Sequence, residues 1–269
     1  MKNLKSSNAK RRKFSYYLYY TPLVYFLPSI ISRFRLRGIL KNQNSHQEYV
    51  NSRVSYYLKK TSNFEVSSNA KNLSELFWNQ FFKNKQNSHF IDFYLLLQFF
   101  KKKNKVDFIY STKDYIDSEV AKKHPPYPTF VKSRPINTEN QNSILLKLNQ
   151  VKLFHFINDP KKFENKKNQA VWRGDIRNNS IREYFVKNFY TSPLLDIGQT
   201  SPKQDVPWMK SFMSINNQLD YKFIFCLEGK CISTNLYWAM SSNSVCVMPK
   251  PKFESWFMEG KLKNGVHYI

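Results

Sequence analysis

"YKFIFCLEGKCISTNLYWAMSSNSVCVMPK", residues 221–250, decides the fold. "YKFIFCLEG" (221–229) is a short aromatic and β-branched run that ends at a glycine, as a buried strand does. "STNLYWAMSSN" (233–243) follows as a helix pattern with Ser233 or Thr234 as its cap, and "SVCVMPK" (244–250) returns as a strand. The chain has only six glycines and five fall after residue 170. Gly229 therefore marks a place where something approaches the backbone closely.

Working outward, the same alternation repeats upstream. "QAVWRGD" (169–175) reads as a strand ending in an Arg-Gly turn, "NSIREYFVKNFY" (179–190) as an amphipathic helix with an Asn or Ser cap, and "LLDIG" (194–198) as a strand. A loop and helix over 201–220 then lead to the strand at 221. Strand and helix alternating at this spacing predict a parallel sheet with crossover connections, a Rossmann-like α/β domain over 161–269.

Residues 41–160 are expected to form a second domain. "SELFWNQFFKN" (74–84) and "SHFIDFYLLLQFFKKK" (88–103) read as helices, and "VDFIYS" (106–111) as a buried strand. Asp114 and Asp117 come just beyond that strand, where open α/β sheets place their ligands. "KKHPPYPTFVKSRPI" (122–136), with four prolines, reads as an extended connector. "SILLKLN" (143–149) reads as helix or strand, and "LFHFIND" (153–159) as strand.

Residues 1–40 differ in kind. The net charge is +24 overall, yet residues 1–60 hold 13 Lys and Arg against Glu48 alone, so half the excess sits there. Residues 14–32 are uncharged, with two prolines and five tyrosines between arginine and lysine clusters. That pattern suits a membrane interface better than a span or a cleaved leader. It predicts an anionic membrane surface as partner and a peripheral place on the inner face of the cytoplasmic membrane. Cys226, Cys231 and Cys246 form no CxxC and read as small buried side chains.

The chemistry expected at 221–250 is anion binding. A strand, then Glu228 and Gly229, then a helix start with Ser233, Thr234 and Asn235 brings N–H groups and hydroxyls to one place. Arg173 and Gly174, at a second strand exit of the same sheet, add a fork suited to phosphate. The plainer alternative has Ser233 only capping and Arg173 only pairing with Asp175. There is no GxGxxG, no GxxxxGK[ST] and no DxD, and the five histidines are scattered. No metal or other cofactor is expected.

"AVWRGDIRNNSIREYF", "SPLLDIGQ", "PWMKSFMSINNQLDYKFIFCLEG" and its continuation to Ile269, with "KSRPI" and "NSILLKLNQVKLFHFIND", resemble glycosyltransferase family 90. The chain is most similar to its LpsA-like group of bacterial lipopolysaccharide glycosyltransferases. The same family holds protein O-glucosyl/xylosyltransferases and fungal capsule-associated proteins. The likeness runs from about residue 105 and is dense from 170.

It implies a GT-B architecture, two Rossmann-like domains facing a cleft. It also implies inverting, metal-independent transfer of a hexose or pentose from a nucleotide sugar, UDP-linked by expectation, to a lipopolysaccharide or other glycan acceptor. By the same resemblance Arg173 contacts the donor phosphates and Glu228 and Gly229 lie by the nucleoside. Ser233 opens the donor-site helix, and Asn235 stands near where the eukaryotic branch has arginine. Asp114, with Asp117 as rival, is the base that the resemblance implies. In "VKSRPI" the residues themselves leave two readings: Lys132 and Arg134 hold an acidic acceptor, the expected one, or simply solvate the loop. Family members continue past "HYI", so a shortened carboxy-terminal end is expected here. A truncated inactive relative and, at lower weight, a basic nucleic-acid binder are the competing readings.

Overall fold

The computed structural model describes residues 7–26, 31, 34, 36–38, 46–59, 88–97, 109–110, 129–136 and 142–269. The chain divides into two compact units, Met1–Val151 with Phe253–Phe257, and Lys152–Lys252 with Met258–Ile269.

In the first unit, helices α1 (Ser7–Phe26), α2 (Gln47–Tyr57) and α3 (Ser88–Leu97) accompany short strands. Strands β1 (Ile109–Tyr110), β2 (Thr129–Val131) and β4 (Ser143–Leu145) form a parallel sheet in the order β1-β2-β4. Strand β3 (Ser133–Pro135) pairs antiparallel with β9 (Phe253–Ser255). Of the proline-rich stretch, residues 129–135 are extended and built into two sheets, and residues 122–128 lie outside the described residues. "LFHFIND" is not a strand. The helix expected over 74–84 lies outside the described residues.

Tyr16 and Val24 of α1 pack with Phe90, Ile91 and Phe93 of α3 and with Leu148. Within this core Asp92 accepts from the Tyr16 hydroxyl at 2.5 Å and from the Gln150 N–H at 2.9 Å. Burial pushes the Asp92 carboxyl up to about 6 despite those bonds.

Arg134 is fully buried. Its Nε donates to Glu254 at 2.8 Å, its Nη1 to the Tyr57 and Ser143 carbonyls, and its Nη2 to the Tyr56 carbonyl. The guanidinium expected on the acceptor side therefore holds β9 and the end of α2 against β3. Lys132 is buried as well. A buried charge is tolerated only when paired in this way.

In the second unit, β5 (Lys167–Asp175), β6 (Leu195–Ser201), β7 (Tyr221–Phe225) and β8 (Val245–Val247) form one parallel sheet in the order β6-β5-β7-β8. Helix α4 (Ser180–Phe189) starts at Asn179, whose side chain accepts from the Arg182 N–H, as the sequence predicts. It covers one face with Phe185 and Val186 against Trp172, Ile197 and Leu227. Val171 and Ile224, of opposite parity, are fully buried on the other face. The helix expected over 233–243 is much shorter: α6 spans Leu236–Ala239, and α5 spans Ile215–Gln218. The Ile269 backbone bonds to Cys246 and Met248 beside β8.

Candidate donor site

The order β6-β5-β7-β8 makes β5 and β7 neighbours whose onward connections diverge. Open parallel sheets bind ligands at such a point, outside the carboxyl ends of the strands. Here those ends are Gly174-Asp175 and Leu227-Glu228-Gly229.

Arg182, in the first turn of α4, spans the two strand exits. Its Nη1 donates to the Asp175 carbonyl at 3.0 Å, Nη2 to the Leu227 carbonyl at 2.7 Å, and Nε to the Glu228 carbonyl at 3.0 Å. The guanidinium lies 5.7 Å from the centre of the Trp172 ring. A Cβ at Gly229 would come within 3.1 Å of its Nη2, which answers what approaches that glycine. Asn179 ties the same place from its Nδ2 to the Glu228 and Gly229 carbonyls at 3.1 and 3.0 Å. Between β5 and α4, Asn178 has φ 53°, a left-handed conformation that asparagine accepts more readily than most residues. Such local strain clusters where a loop is shaped for a ligand. Arg177 is pinned to Asp175 at 2.5 Å yet mostly exposed, and it holds the Asp175 carboxyl below the usual range.

Gly174 follows from Trp172. A Cβ there would sit 2.4 Å from the indole, so the strand can end over its own tryptophan only with glycine. Arg173 points the other way. It donates to the Asp196 carboxylate at 2.6 Å and to the Asp196 and Trp172 carbonyls at 2.5 and 2.9 Å. Register pairs Val171 with Asp196, so the carboxylate lies two residues back along the sheet and draws the guanidinium away from the strand ends. Asp196 also accepts from Lys210 and Tyr221. Burial alone would raise its pKa, but the three donors hold it well below the carboxylate range, and burial with Asp196 pushes Tyr221 up to about 12. Donor phosphates expected at Arg173 would have to draw it from this cluster.

Beside Glu228 lies a small hollow, open on one side, with room inside for about one water molecule. Cys226, Ile232, Leu236, Met248 and Pro251 line it with apolar surface, and Glu228, Ser233 and Glu259 supply polar atoms. Glu228 accepts the Lys252 N–H at 3.0 Å, and buried Glu259 accepts from the Tyr237 hydroxyl at 2.7 Å. Ser233 donates to the Asn235 side chain at 2.5 Å, and Asn235 Nδ2 donates to the Phe225 carbonyl at 2.8 Å. Neither caps α6 by its side chain, and Thr234 is exposed. These residues therefore form a polar turn beneath the pocket. The exposed cations Lys230, Lys250 and Lys252 follow the strand ends.

The structure thus brings together Gly174, Glu228, Gly229, Ser233 and Asn235 around the ends of β5, β7 and β8, and adds Arg182 and Glu259. Asp114 and Asp117 lie outside the described residues. Arg182 was missed because one arginine in an amphipathic helix looks like a solvated face; its place three residues after the cap was the available signal. Glu259 follows Met258, which has φ 67°, and nothing local in the sequence marks it.

A parallel α/β sheet with a switch point between β5 and β7 places the class of the protein among open α/β folds, which bind their ligands at that edge. Residues 138–269 match glycosyl transferase family 90. The chain is 37% identical over 221 residues to the O-glucosyltransferase LpsA of Dichelobacter nodosus. That alignment covers 82% of this chain and 65% of the relative, so the match spans slightly less than two thirds of the relative's length. The chain belongs to glycosyl transferase family 90.

Proposed function

We propose that the protein is an inverting glycosyltransferase that moves a hexose or pentose from a UDP-linked sugar to a hydroxyl of a lipopolysaccharide or related glycan. The observation that carries this reading is the joining of two features at Glu228. Its main chain belongs to the strand edge held by Arg182 and Asn179, and its side chain borders the apolar hollow. The base would lie over the mouth of this hollow, with ribose hydroxyls at the Glu228 carboxylate on its rim. The diphosphate would then lie over the loop 175–179 and the start of α4, where the helix dipole and Arg177 favour it. The GT-B arrangement belongs to the same proposal, as does transfer without a metal.

The reaction needs one base on the acceptor side. Asp114, or its neighbour Asp117, takes the proton of the acceptor hydroxyl as that oxygen bonds to the anomeric carbon. The bond from that carbon to the diphosphate breaks on the opposite face, and the nucleoside diphosphate leaves with the electron pair. Cations at the strand ends stabilise the departing charge.

Isothermal titration with a panel of UDP-, GDP- and dTDP-sugars, with and without EDTA, tests the reading. UDP-sugars should bind, unaffected by EDTA, and Glu228→Gln should weaken them about tenfold or more through the lost charge-assisted contact. Binding of no nucleotide sugar, or binding unchanged by Glu228→Gln, would reject this site.

A further inference from the structure

Among the described residues, the outer face of α1 carries large side chains that stay exposed. Tyr16 and Val24 are buried on its inner side, whereas Phe14, Leu18 and Tyr19 are 67%, 64% and 61% exposed. Arg11, Phe14, Leu18 and Pro22 are all exposed and fall at i, i+3, i+7 and i+11, along one side of the helix. Nearby in sequence, Ile31 and Phe34 are also exposed, at 44% and 63%, with the Arg37 guanidinium over the Phe34 ring. Large apolar side chains spaced along one helix side, with arginine and lysine at its start, are not needed for packing.

We propose that this face of α1 is a docking surface for an anionic lipid bilayer. Charge supplies the complementarity: Lys10, Arg11, Arg12 and Lys13 open the helix, Arg33, Arg35 and Arg37 follow it, and residues 1–60 carry one acid against 13 basic side chains. Phe14 and Leu18 enter the boundary between headgroups and chains, and Tyr19 sits at headgroup depth, where an aromatic ring with a polar tip is favoured. Arg11, on the same side as Phe14 and Leu18, reaches lipid phosphates, and Lys13 adds to the attraction from a distance. The helix lies along the surface: among the described residues no helix is long and apolar enough to cross a membrane. The inner face keeps α1 on the first unit through the Tyr16–Asp92 bond and the core around Phe90 and Phe93. The proposal stands on α1 alone and does not depend on the donor site.

Sedimentation of the full chain with vesicles tests it. Vesicles of phosphatidylcholine mixed with phosphatidylglycerol should carry the protein down. Vesicles of phosphatidylcholine alone should not. Raising salt until the Debye length falls from about 8 Å to about 3 Å should weaken binding. Phe14→Glu with Leu18→Glu should reduce binding about tenfold or more, as should Arg11→Glu with Lys13→Glu. Phe212→Glu, at a residue 71% exposed on the second unit, should change nothing. The charge-reversal pair decides if the Phe14/Leu18 variant melts early. Undiminished binding by the charge-reversal pair, or equal binding to neutral vesicles, overturns the proposal. So does tighter binding of single-stranded RNA than of anionic vesicles, which would assign the patch to nucleic acid. UDP-sugar titration of the same variants reads the donor site separately.

Discussion

Replacing Arg182 by alanine removes a side chain bonded to both strand ends of the candidate site. Three carbonyls, of Asp175, Leu227 and Glu228, lose donors at 2.7–3.0 Å. A hydrogen bond to a charged group contributes about 1.5–3 kcal/mol when buried. The three share one guanidinium and are only partly buried, so water recovers some of each loss and they do not add fully. A net loss of about 3 kcal/mol is expected, a fall in melting temperature of roughly 10 °C for a unit of this size. Arg182→Lys keeps the charge but reaches fewer of the three carbonyls, so about half the loss should remain. Urea unfolding of the two variants, compared at constant m, measures both. A loss below about 0.5 kcal/mol for Arg182→Ala, with m unchanged, would refute the view that this arginine holds the strand ends together.

Further outcomes follow from single contacts. Gly174→Ala places a Cβ 2.4 and 2.7 Å from two indole carbons of Trp172, so the ring must move; thermal melting should show a loss of about 2 kcal/mol. Asp92 has its pKa raised to about 6 by burial, so its contribution is full below about 3.9 and is lost as pH rises through about 6. Asp92→Asn should flatten that part of the stability profile between pH 4 and 7 by about 2 kcal/mol relative to the parent chain, read from urea midpoints at each pH. Arg134→Met leaves buried Glu254 with only the Tyr56 hydroxyl and the longer Lys59 contact, and should cost about 3 kcal/mol or prevent folding, read by circular dichroism. A folded Arg134→Met protein of normal stability would return this residue to the acceptor side. Asp114→Asn should bind donor yet lose transfer by about 10²–10⁴-fold, with Asp117→Asn as the matched comparison in a product assay.

The second unit was legible in the sequence because its strands are continuous apolar runs separated by a well-capped helix. Strands β5 to β8 and the Asn179 cap of α4 all lie where periodicity and cap chemistry put them. The helix at 233–243 was over-read: its hydroxyl run makes a polar turn, and Ser233 bonds to Asn235 in preference to the next backbone N–H groups. Strand β9 was not legible, because three residues gain their partner from β3, more than a hundred positions away, through Arg134 and Glu254. Site residues that lie where a strand ends could be foreseen from strand ends alone. The direction of Arg173 could not, since it depends on Asp196 of the neighbouring strand and on the register between them.

Hydrogen exchange of backbone amides with and without saturating UDP tests the central claim, that the nucleotide occupies the carboxyl edge of β5 and β7. The account predicts added protection in two segments, 174–183 and 226–236, with a smaller effect around Glu259 and none along the β6 segment 195–201. Protection confined to other segments under saturating UDP would contradict it.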